Sequence, residues 1–468
     1  MLHRFTMNGD YLVYDSETQA LLSLDPLAYE TVGLFDPITG QLSDEHAIAD
    51  LKKRYPDRAS SIDEIIEEIS LLKDQDVLFR AATPVTYEQL YPDDAHIKSM
   101  CLHICHDCNL RCRYCFAGQG DYHMGERSML TSEVGRQAID FLIEVSGPRH
   151  NLDIDFFGGE PLMNWPVVED LVAYAEKRGE ETGKDLRLTM TTNALLLDKD
   201  KRDFINKHFK NVVLSMDGRP EVHDHMRPAP NGKSSFDPVM QNIKAMVEER
   251  GDQEFYVRGT YTKENLDFAE DVKYMAEQDL RQLSIEPVVA EDTMPYALSE
   301  EDLPVLEQQY EDLARYYVEE KDGDHPFRFF HFLLDLDEGP CAYKRLKGCG
   351  VGTEYIAVTP TGDIYPCHQF VGEENFRMGN VADGPEGLNP DLVKVFQDRL
   401  LPHQTECDSC WAKYFCTGGC LANHYHATGS MDELYGLGCS LQKKRLEAAL
   451  WIKHREKENE DQSRQVEF

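Results

Sequence analysis

The chain has 468 residues, of which 41% are hydrophobic and 28% charged, and these values predict a water-soluble protein of several domains. Its formal net charge of -37 argues against a nucleic-acid partner, since proteins that bind phosphate backbones carry an excess of Lys and Arg. No apolar run is long enough for a membrane span, and the N-terminal residues lack the features of a secretory signal. We therefore expect a cytoplasmic protein with no membrane partner.

Residues 1–85 predict a small α+β module. Alternating hydrophobic residues predict a hairpin of short strands in TMNGDYLVYD and ALLSLD. Helical spacing follows in LAYETVGLF, HAIADLKKRY and SIDEIIEEISLLKDQDVL. Such a module could serve packing alone, but a compact unit ahead of a larger domain often handles a partner.

Residues 98–300 predict an α/β fold made of six strand–helix units. The predicted strands are CLHI, LDIDFF, LRLTMTT, NVVLSMD, FYVRGTY and LSIEPV. The helices between them carry apolar residues at positions i, i+3 and i+4. Repeated units of this kind predict a parallel sheet, here a partial (β/α)6 barrel, with ligands at the carboxyl ends of the strands.

The rest of the chain divides into three predicted segments. Residues 301–340 predict an acidic helical connector. Residues 341–440 are rich in Gly and turns and have little periodicity, as expected where metal clusters take the place of a hydrophobic core. Residues 441–468 predict a surface helix with a polar end.

The thirteen cysteines form two groups. Five lie between Cys101 and Cys115, and the other eight lie between Cys341 and Cys439. Because the cytosol keeps thiols reduced, we do not expect these residues to form disulfides. The two groups instead predict two metal-binding regions.

Three cysteines follow the first predicted strand of the barrel with the spacing Cys108-x3-Cys112-x2-Cys115. Three thiolates suit three corners of a [4Fe-4S] cluster, and the fourth iron is then free to chelate the amino and carboxylate groups of a ligand, which is how radical S-adenosylmethionine (SAM) enzymes bind SAM. A structural zinc site is the alternative, because Cys105 or His106 could supply a fourth ligand. The spacing resembles the signature of radical SAM enzymes. The resemblance makes these three residues, called the signature cysteines below, the predicted catalytic residues.

The resemblance covers about residues 98–290 and implies that groups at the strand ends contact SAM. It implies that Gly158 and Gly159 let backbone carbonyls approach the SAM ammonium and that Arg258 binds the SAM carboxylate. An ordinary turn and a surface salt bridge are the alternatives for these two features. The implied SAM-binding residues are Gly158, Gly159, Glu160, Thr192, Asn193, Ser215, Asp217 and Arg258. The segment with His223, Asp224 and Arg227 resembles one in peptide-modifying members, and no role is assigned to it.

The second cysteine group resembles the seven-cysteine pattern of SPASM domains. A zinc ribbon is the alternative, although zinc ribbons do not require such a long interleaved set. The resemblance implies two auxiliary clusters, and therefore three [4Fe-4S] clusters in total. One auxiliary cluster would be held by Cys407, Cys410, Cys416 and Cys439. The other would be held by Cys349, Cys367 and Cys420, with Cys341 as the candidate fourth ligand.

The residue after Cys367 bears on the substrate. Sulfatase maturases have an Asp there that serves as a base, whereas this chain has His368. The Cys-His-Gln-Phe run, the Cys101-Leu-His start of the barrel and the N-terminal module together resemble maturases that form thioether bonds in six-cysteine SCIFF peptides. This resemblance implies that residues 1–85 are a winged-helix-like recognition element, which binds the peptide leader as an added strand.

The implied activity is formation of thioether cross-links, from Cys sulfur to carbon, in a cysteine-rich ribosomal precursor peptide. The implied partners are that peptide and an external electron donor of the flavodoxin or ferredoxin type. Three alternatives stay open: a maturase of the quinohemoprotein amine dehydrogenase type, one of the sulfatase type, and a non-enzymatic iron–sulfur or zinc protein.

Overall fold

The computed structural model describes residues 1–83, 85–91, 95–336, 346–399 and 405–466. Cys341, the candidate fourth ligand, lies outside the described residues. The strands are β1 (Leu2–Met7), β2 (Asp10–Asp15), β3 (Leu21–Leu24), β4 (Ser99–His106), β5 (Ser128–Met129), β6 (Asn151–Gly158), β7 (Asp185–Thr192), β8 (Asn211–Ser215), β9 (Phe255–Tyr261), β10 (Gln282–Pro287), β11 (Arg328–Phe329), β12 (Tyr355–Val358), β13 (Asp363–Tyr365) and β14 (Gly379–Asn380).

The α-helices connect these strands and cover the barrel. They are α1 (Pro26–Val32), α2 (Glu45–Arg54), α3 (Ala59–Asp74), α4 (Tyr87–Leu90), α5 (Ser132–Val145), α6 (Trp165–Thr182), α7 (Lys199–His208), α8 (Pro220–Met226), α9 (Phe236–Arg250), α10 (Phe268–Glu277), α11 (Leu303–Glu320), α12 (Pro390–Gln397), α13 (Thr405–Asp408), α14 (Lys413–Cys416), α15 (Leu421–Thr428) and α16 (Gly436–Val466). Within the described ranges, the helices are too short or too polar to cross a membrane.

The N-terminal module contains the antiparallel sheet β1-β2-β3 and helices α1 to α3. The stretch TMNGDYLVYD, predicted as one strand, turns back on itself at Asn8 and Gly9, which have φ angles of 49° and 91°. Positive φ at both positions suits the tight turn of a hairpin. The predicted hairpin is therefore a three-stranded sheet.

The central sheet has the strand order β11-β10-β9-β8-β7-β6-β4-β12-β13-β14. From β4 through β6 to β10, each neighbouring pair is parallel. Helices cover these strands, and apolar residues of β4, β6, α5 and α6 share one core, as parallel sheets require. The predicted partial barrel of parallel strands is confirmed.

The sheet extends beyond the predicted barrel on both sides. Strand β11, inside the segment predicted to be a helical connector, pairs with β10 in parallel. On the other side β12 pairs with β4 in parallel, and β13 and β14 continue the sheet in antiparallel fashion. The sequence did not predict these strands, because they are two to four residues long and too short for a periodic signal.

The prediction of a C-terminal surface helix at 441–468 is wrong in two respects. Helix α16 begins earlier, at Gly436, and includes Cys439. Its residues from Leu441 to Ile452 include a buried apolar set that joins the main core. This helix packs against α11 and β1, so it is an internal element over this part of its length.

Candidate active site

A cavity of about 540 Å³ opens where the parallel strands end. Its walls come from the loop after β4, from the ends of β6 to β10, and from the second cysteine region. The predicted site residues in its lining are Cys108, Cys112, Cys115, Gly158, Gly159, Thr192, Asn193, Ser215, Arg258, Cys416, Cys420 and Cys439. The fold therefore brings both cysteine groups to one cavity.

The loop with the signature cysteines is tied to the end of helix α8. The Arg111 N–H group donates to the Pro228 carbonyl oxygen at 2.8 Å. The Arg113 N–H group donates to the Met226 carbonyl oxygen at 2.9 Å. Backbone bonds of this kind fix a loop without using its side chains, so the thiols remain free to face the cavity.

The signature thiols lie within electrostatic reach of one another. Burial raises the pKa of the Cys112 thiol to about 12, although the Arg227 guanidinium opposes this shift and the Cys115 thiol adds to it. Burial also raises the pKa of Cys108, with smaller contributions from the Cys112 and Cys115 thiols. Metal coordination deprotonates such thiols.

In the second group, the thiols of Cys407, Cys410, Cys416 and Cys439 lie within electrostatic reach of one another. Burial raises the pKa of Cys416 to about 12, and the nearby thiols of Cys439, Cys407 and Cys410 add to the shift. We call these four residues the first auxiliary set.

The second auxiliary set is Cys349, Cys367 and Cys420. Burial raises the pKa of Cys367, and the thiols of Cys420 and Cys349 raise it further. These three thiols therefore lie within electrostatic reach of one another.

The donor chemistry of the three sets fits iron–sulfur clusters, which cysteine thiolates hold. Each set offers three or four neighbouring thiols, which is the number of thiolates that hold a cubane cluster.

The two glycines at the end of β6 are required by the neighbouring strand. Gly158 has a φ of 121°, and a Cβ atom there would lie 2.3 Å from the Cys105 carbonyl oxygen. A Cβ atom on Gly159 would lie 2.0 Å from the Asp107 carbonyl oxygen. Both glycines line the cavity. A side chain is excluded at Gly158 by the end of β4 and at Gly159 by the loop that follows β4 and leads to the signature cysteines.

Glu160 lies beneath the cavity wall and is fully buried. Its carboxylate accepts hydrogen bonds from the Thr192 hydroxyl at 2.7 Å and from the Asn193 N–H group at 2.8 Å. Burial raises its pKa to about 7, while these hydrogen bonds oppose the shift. Glu160 thus joins the ends of β6 and β7 and positions Asn193, whose amide donates to Asn109 at 2.7 Å.

Asp217 also lies behind the cavity wall, where it supports two residues that do line it. The Tyr114 hydroxyl donates to its carboxylate at 2.7 Å. The Arg227 Nε atom forms an ion pair with it at 2.9 Å, and the Arg227 guanidinium lies 5.5 Å from the centre of the Tyr114 ring. Asp217 therefore orients a tyrosine and an arginine toward the cavity.

The segment with His223, Asp224 and Arg227 has structural roles. The Asp224 carboxylate accepts hydrogen bonds from the Ser235 and Phe236 N–H groups, each at 2.9 Å, and so caps the start of α9. The His223 Nε2 atom lies 3.1 Å from the Ser235 hydroxyl. Together with the Arg227–Asp217 pair, these contacts join α8 to the barrel.

Arg258 on β9 lines the cavity near a buried charge network that the sequence did not reveal. Its Nη2 atom lies 3.8 Å from Glu286 Oε1 at the end of β10. Glu286 is 3.0 Å from Arg445 Nη2 and 2.9 Å from His331 Nε2. Burial alone would raise the pKa of Glu286, but His331 and Arg445 hold it below its ordinary value. Glu286 therefore presents a carboxylate anion to the cavity.

Helix α16 supplies four further lining residues that the sequence analysis missed, Gly438, Leu441, Gln442 and Arg445. Gln442 and Arg445 are the polar ones. Residues three apart on a helix lie on one face, and these two follow Cys439 at that spacing. The prediction of Cys439 as a cluster ligand could therefore have indicated Gln442 and Arg445, because the next residues on the same helix face should also reach the site.

His368 lines the cavity directly after Cys367. Its ring centre is 5.6 Å from that of Phe116 and 5.1 Å from that of Phe157. Its Nδ1 atom lies 3.1 Å from the Tyr355 hydroxyl, and burial lowers its pKa to about 4. His368, which stands where sulfatase maturases have an Asp, thus lines the cavity.

Comparisons with known proteins support this architecture. Residues 102–275 match the model of the radical SAM superfamily, and residues 349–411 match that of the SPASM iron–sulfur cluster-binding domain. The cysteine-type anaerobic sulfatase-maturating enzyme of Clostridium novyi is 25% identical over 336 residues, which cover 68% of this chain and 86% of that protein. The radical SAM cyclopropyl synthase TigE of Paramaledivibacter caminithermalis is 21% identical over 355 residues, 73% of this chain and 70% of that protein.

Solved structures share the fold. The structure of anSMEcpe with bound AdoMet superposes with a TM-score of 0.58 and 20% identity, covering 75% of this chain and 96% of that one. Streptococcus suis SuiB bound to its precursor peptide SuiA has a TM-score of 0.51 and 15% identity, covering 94% and 98%. The chain therefore carries a radical SAM domain followed by a SPASM domain, and the two domains imply iron–sulfur clusters and SAM as cofactors.

Proposed function

We propose that the chain is a radical SAM maturase that forms thioether cross-links in a cysteine-rich ribosomal precursor peptide. The observation that carries the proposal is the shared cavity, whose walls hold the signature cysteines and also Cys416, Cys420 and Cys439. A peptide segment in this cavity would have its acceptor carbon near SAM and its thiol near an auxiliary site. Each bond would remove one hydrogen pair from the peptide: the acceptor carbon would lose a hydrogen atom to the SAM-derived radical, the thiol would lose its proton, and an auxiliary cluster would accept the remaining electron.

Three [4Fe-4S] clusters are proposed, one on the signature cysteines and one on each auxiliary set, with Cys341 as a further ligand of the second. When bound, the first cluster and SAM supply a 5′-deoxyadenosyl radical that takes a hydrogen atom from the substrate. Tyr114, Asn193 and Ser215 would orient SAM, and the Arg258 guanidinium would bind its carboxylate. From behind the cavity wall, Glu160 would hold Asn193 and Asp217 would hold Tyr114.

The N-terminal module is proposed to bind the peptide leader. Strand β3 is at the end of its sheet, and its pairing in the described chain is with β2 alone. Its residues Leu22 and Leu24 are half-buried, so a peptide strand added there would gain both backbone hydrogen bonds and apolar contacts. The likeness to the SuiB–SuiA complex spans 94% of the chain, which includes this module and supports the assignment.

The test uses the anaerobically reconstituted protein, SAM, a reductant and a synthetic precursor peptide that carries a leader and six cysteines. We expect the peptide to lose one hydrogen pair per bond and its linked cysteines to resist alkylation, as read by mass spectrometry. The matched control is Cys112→Ala, which should lose both SAM cleavage and peptide modification. An unmodified peptide in a reaction that still cleaves SAM would contradict the thioether assignment.

Sulfatase maturation is the second candidate, because sulfatase-maturating enzymes are among the relatives at 25% identity. The residue after Cys367 argues against sulfatase maturation, since His368 stands where those enzymes have an Asp. The same assay with a peptide that carries a sulfatase maturation motif separates the two. Oxidation of its cysteine or serine without a thioether would favour the sulfatase type.

A further inference from the structure

The segment that carries Cys410 and Cys416 of the first auxiliary set is packed against the N-terminal sheet. The Trp411 ring lies flat on the His3 ring of β1, with centroids 3.9 Å apart and planes 4° apart. The Tyr14 ring of β2 stands edge-on to Trp411 at 6.3 Å. Stacked and edge-on aromatic pairs of this kind stabilise one arrangement over others.

A buried ion pair joins the same two segments. Glu17, just after β2, places its Oε1 atom 3.0 Å from Lys413 Nζ, and the two side chains are only 8% and 6% exposed. The Tyr414 hydroxyl donates to Glu17 Oε2 at 2.7 Å. Lys413 Nζ also donates to the Asp408 carbonyl oxygen at 3.1 Å. Glu17 thus binds two residues between Cys410 and Cys416, and one of them reaches back toward Cys407.

The fourth thiol of the set is on a helix that the same module contacts. Helix α16 carries Cys439 near its start, and its Glu447 Oε1 atom lies 2.8 Å from His3 Nε2. Further along, the Trp451 indole N–H donates to the Asp10 carboxylate at 2.8 Å. Both chain segments that carry the first auxiliary set are therefore held by residues 3–17.

We propose that the N-terminal module is a structural part of the first auxiliary site and that Glu17 is a positioning residue for its cysteines. A buried charge that loses its partner is strongly unfavourable. Among the described residues, loss of the Glu17 carboxylate leaves Lys413 with only the exposed Asp408 carboxylate, 3.7 Å away, and therefore draws the Lys413 ammonium toward water. The backbone between Cys410 and Cys416 has to move with it. The proposal concerns cluster binding and does not depend on what the module binds.

The experiment compares Glu17→Gln with Glu68→Gln, which alters an exposed glutamate on α3 of the same module. Iron release to a chelator is followed in the anaerobically reconstituted full chain, and the EPR spectrum of the reduced protein is recorded with and without SAM. We expect Glu17→Gln to speed the release of one cluster by at least about tenfold. The EPR signal of that cluster should change, while the signal that responds to SAM should not.

A double variant separates positioning from general destabilisation. Glu17→Gln with Lys413→Met removes both charges, and replacing a buried pair by uncharged groups costs far less than breaking it. We expect the double variant to release iron near the wild-type rate. If the single variant does not fold, Tyr414→Phe removes only one hydrogen bond to Glu17 and should produce a smaller change in the same cluster.

Two results would overturn the proposal. One is iron release from Glu17→Gln at the rate of Glu68→Gln. The other is equal acceleration for all clusters, which would indicate a general loss of stability without a specific role for the module at the first auxiliary site.

Discussion

Replacement of Asp217 by Asn tests whether a buried ion pair supports the SAM side of the cavity. The Asp217 side chain is 0% exposed and that of its partner Arg227 is 10% exposed. Removing one partner of such a pair costs about 3 to 5 kcal/mol, because the remaining charge stays buried without compensation. At about 2 °C per kcal/mol for a large domain, the melting temperature should fall by about 6 to 10 °C.

The same substitution should weaken SAM binding. Tyr114 lines the cavity and donates its hydroxyl proton to the Asp217 carboxylate. A hydrogen bond to a charged group contributes about 1.5 to 3 kcal/mol, more than one to a neutral group. Because Asn offers Tyr114 only a neutral acceptor, the tyrosine should be held less firmly and the Kd for SAM should rise about tenfold. Equilibrium binding to the reconstituted protein measures this change.

Asp267→Asn is the matched control, because it removes a carboxylate paired with Arg219 on the same barrel. This carboxylate is 53% exposed, and Arg219 keeps a second partner in Asp271. We expect a loss of less than about 1 kcal/mol and unchanged SAM binding. Equal melting temperatures for Asp217→Asn and Asp267→Asn would refute the reasoning.

Two further predictions concern the barrel. Gly159→Ala should displace the loop of the signature cysteines, because its Cβ atom would lie 2.0 Å from the Asp107 carbonyl oxygen, and iron content should fall by one cluster. Gly436→Ala should keep full iron, because its Cβ atom would have only an ordinary contact of 3.8 Å with the Glu300 carboxylate. Burial lowers the pKa of His223 from 6.5 to about 4, so its stabilising contribution is complete above pH 6.5 and is lost as the pH falls toward 4. Between pH 7 and 5.5 the wild type should lose about 1 kcal/mol more than His223→Gln in denaturant titrations, and parallel losses would exclude this histidine as the cause.

The sequence predicted the parts of the fold whose signals are local. The periodicity of a strand or a helix is contained in a few neighbouring residues, and the parallel sheet followed from six such units. The resemblance, and not the spacing, implied two ligand sets within the second region, with Cys416 in one and Cys420 in the other. These two residues are four apart in the chain, so the assignment came from the resemblance and could not have come from their separation alone.

Glu160 and Asp217 lie behind the cavity wall, next to residues that line it. Both follow strands whose ends line the cavity, and the resemblance implied that both contact SAM. A motif gives a residue's place in the chain and leaves open which way its side chain points. Here both carboxylates turn inward and bind protein groups, so their variants should act on SAM through Thr192, Asn193, Tyr114 and Arg227.

The extent of the N-terminal module could not be predicted, because it depends on contacts between residues about four hundred positions apart. The boundary near residue 85 suggested a separable unit. In the structure Phe5, Met7, Leu12 and Tyr14 belong to the main core, with Trp411 and Trp451. Removal of residues 1–85 would expose this apolar surface to water, and a truncated protein should therefore lose stability as well as peptide capture. Within β3, Leu21, Leu22 and Leu24 pack against the hydrophobic cores, whereas Ser23 is exposed. Variants of Ser23 are consequently the sharper test of leader binding: they should lower modification of a full-length precursor while leaving the melting temperature and the iron content unchanged.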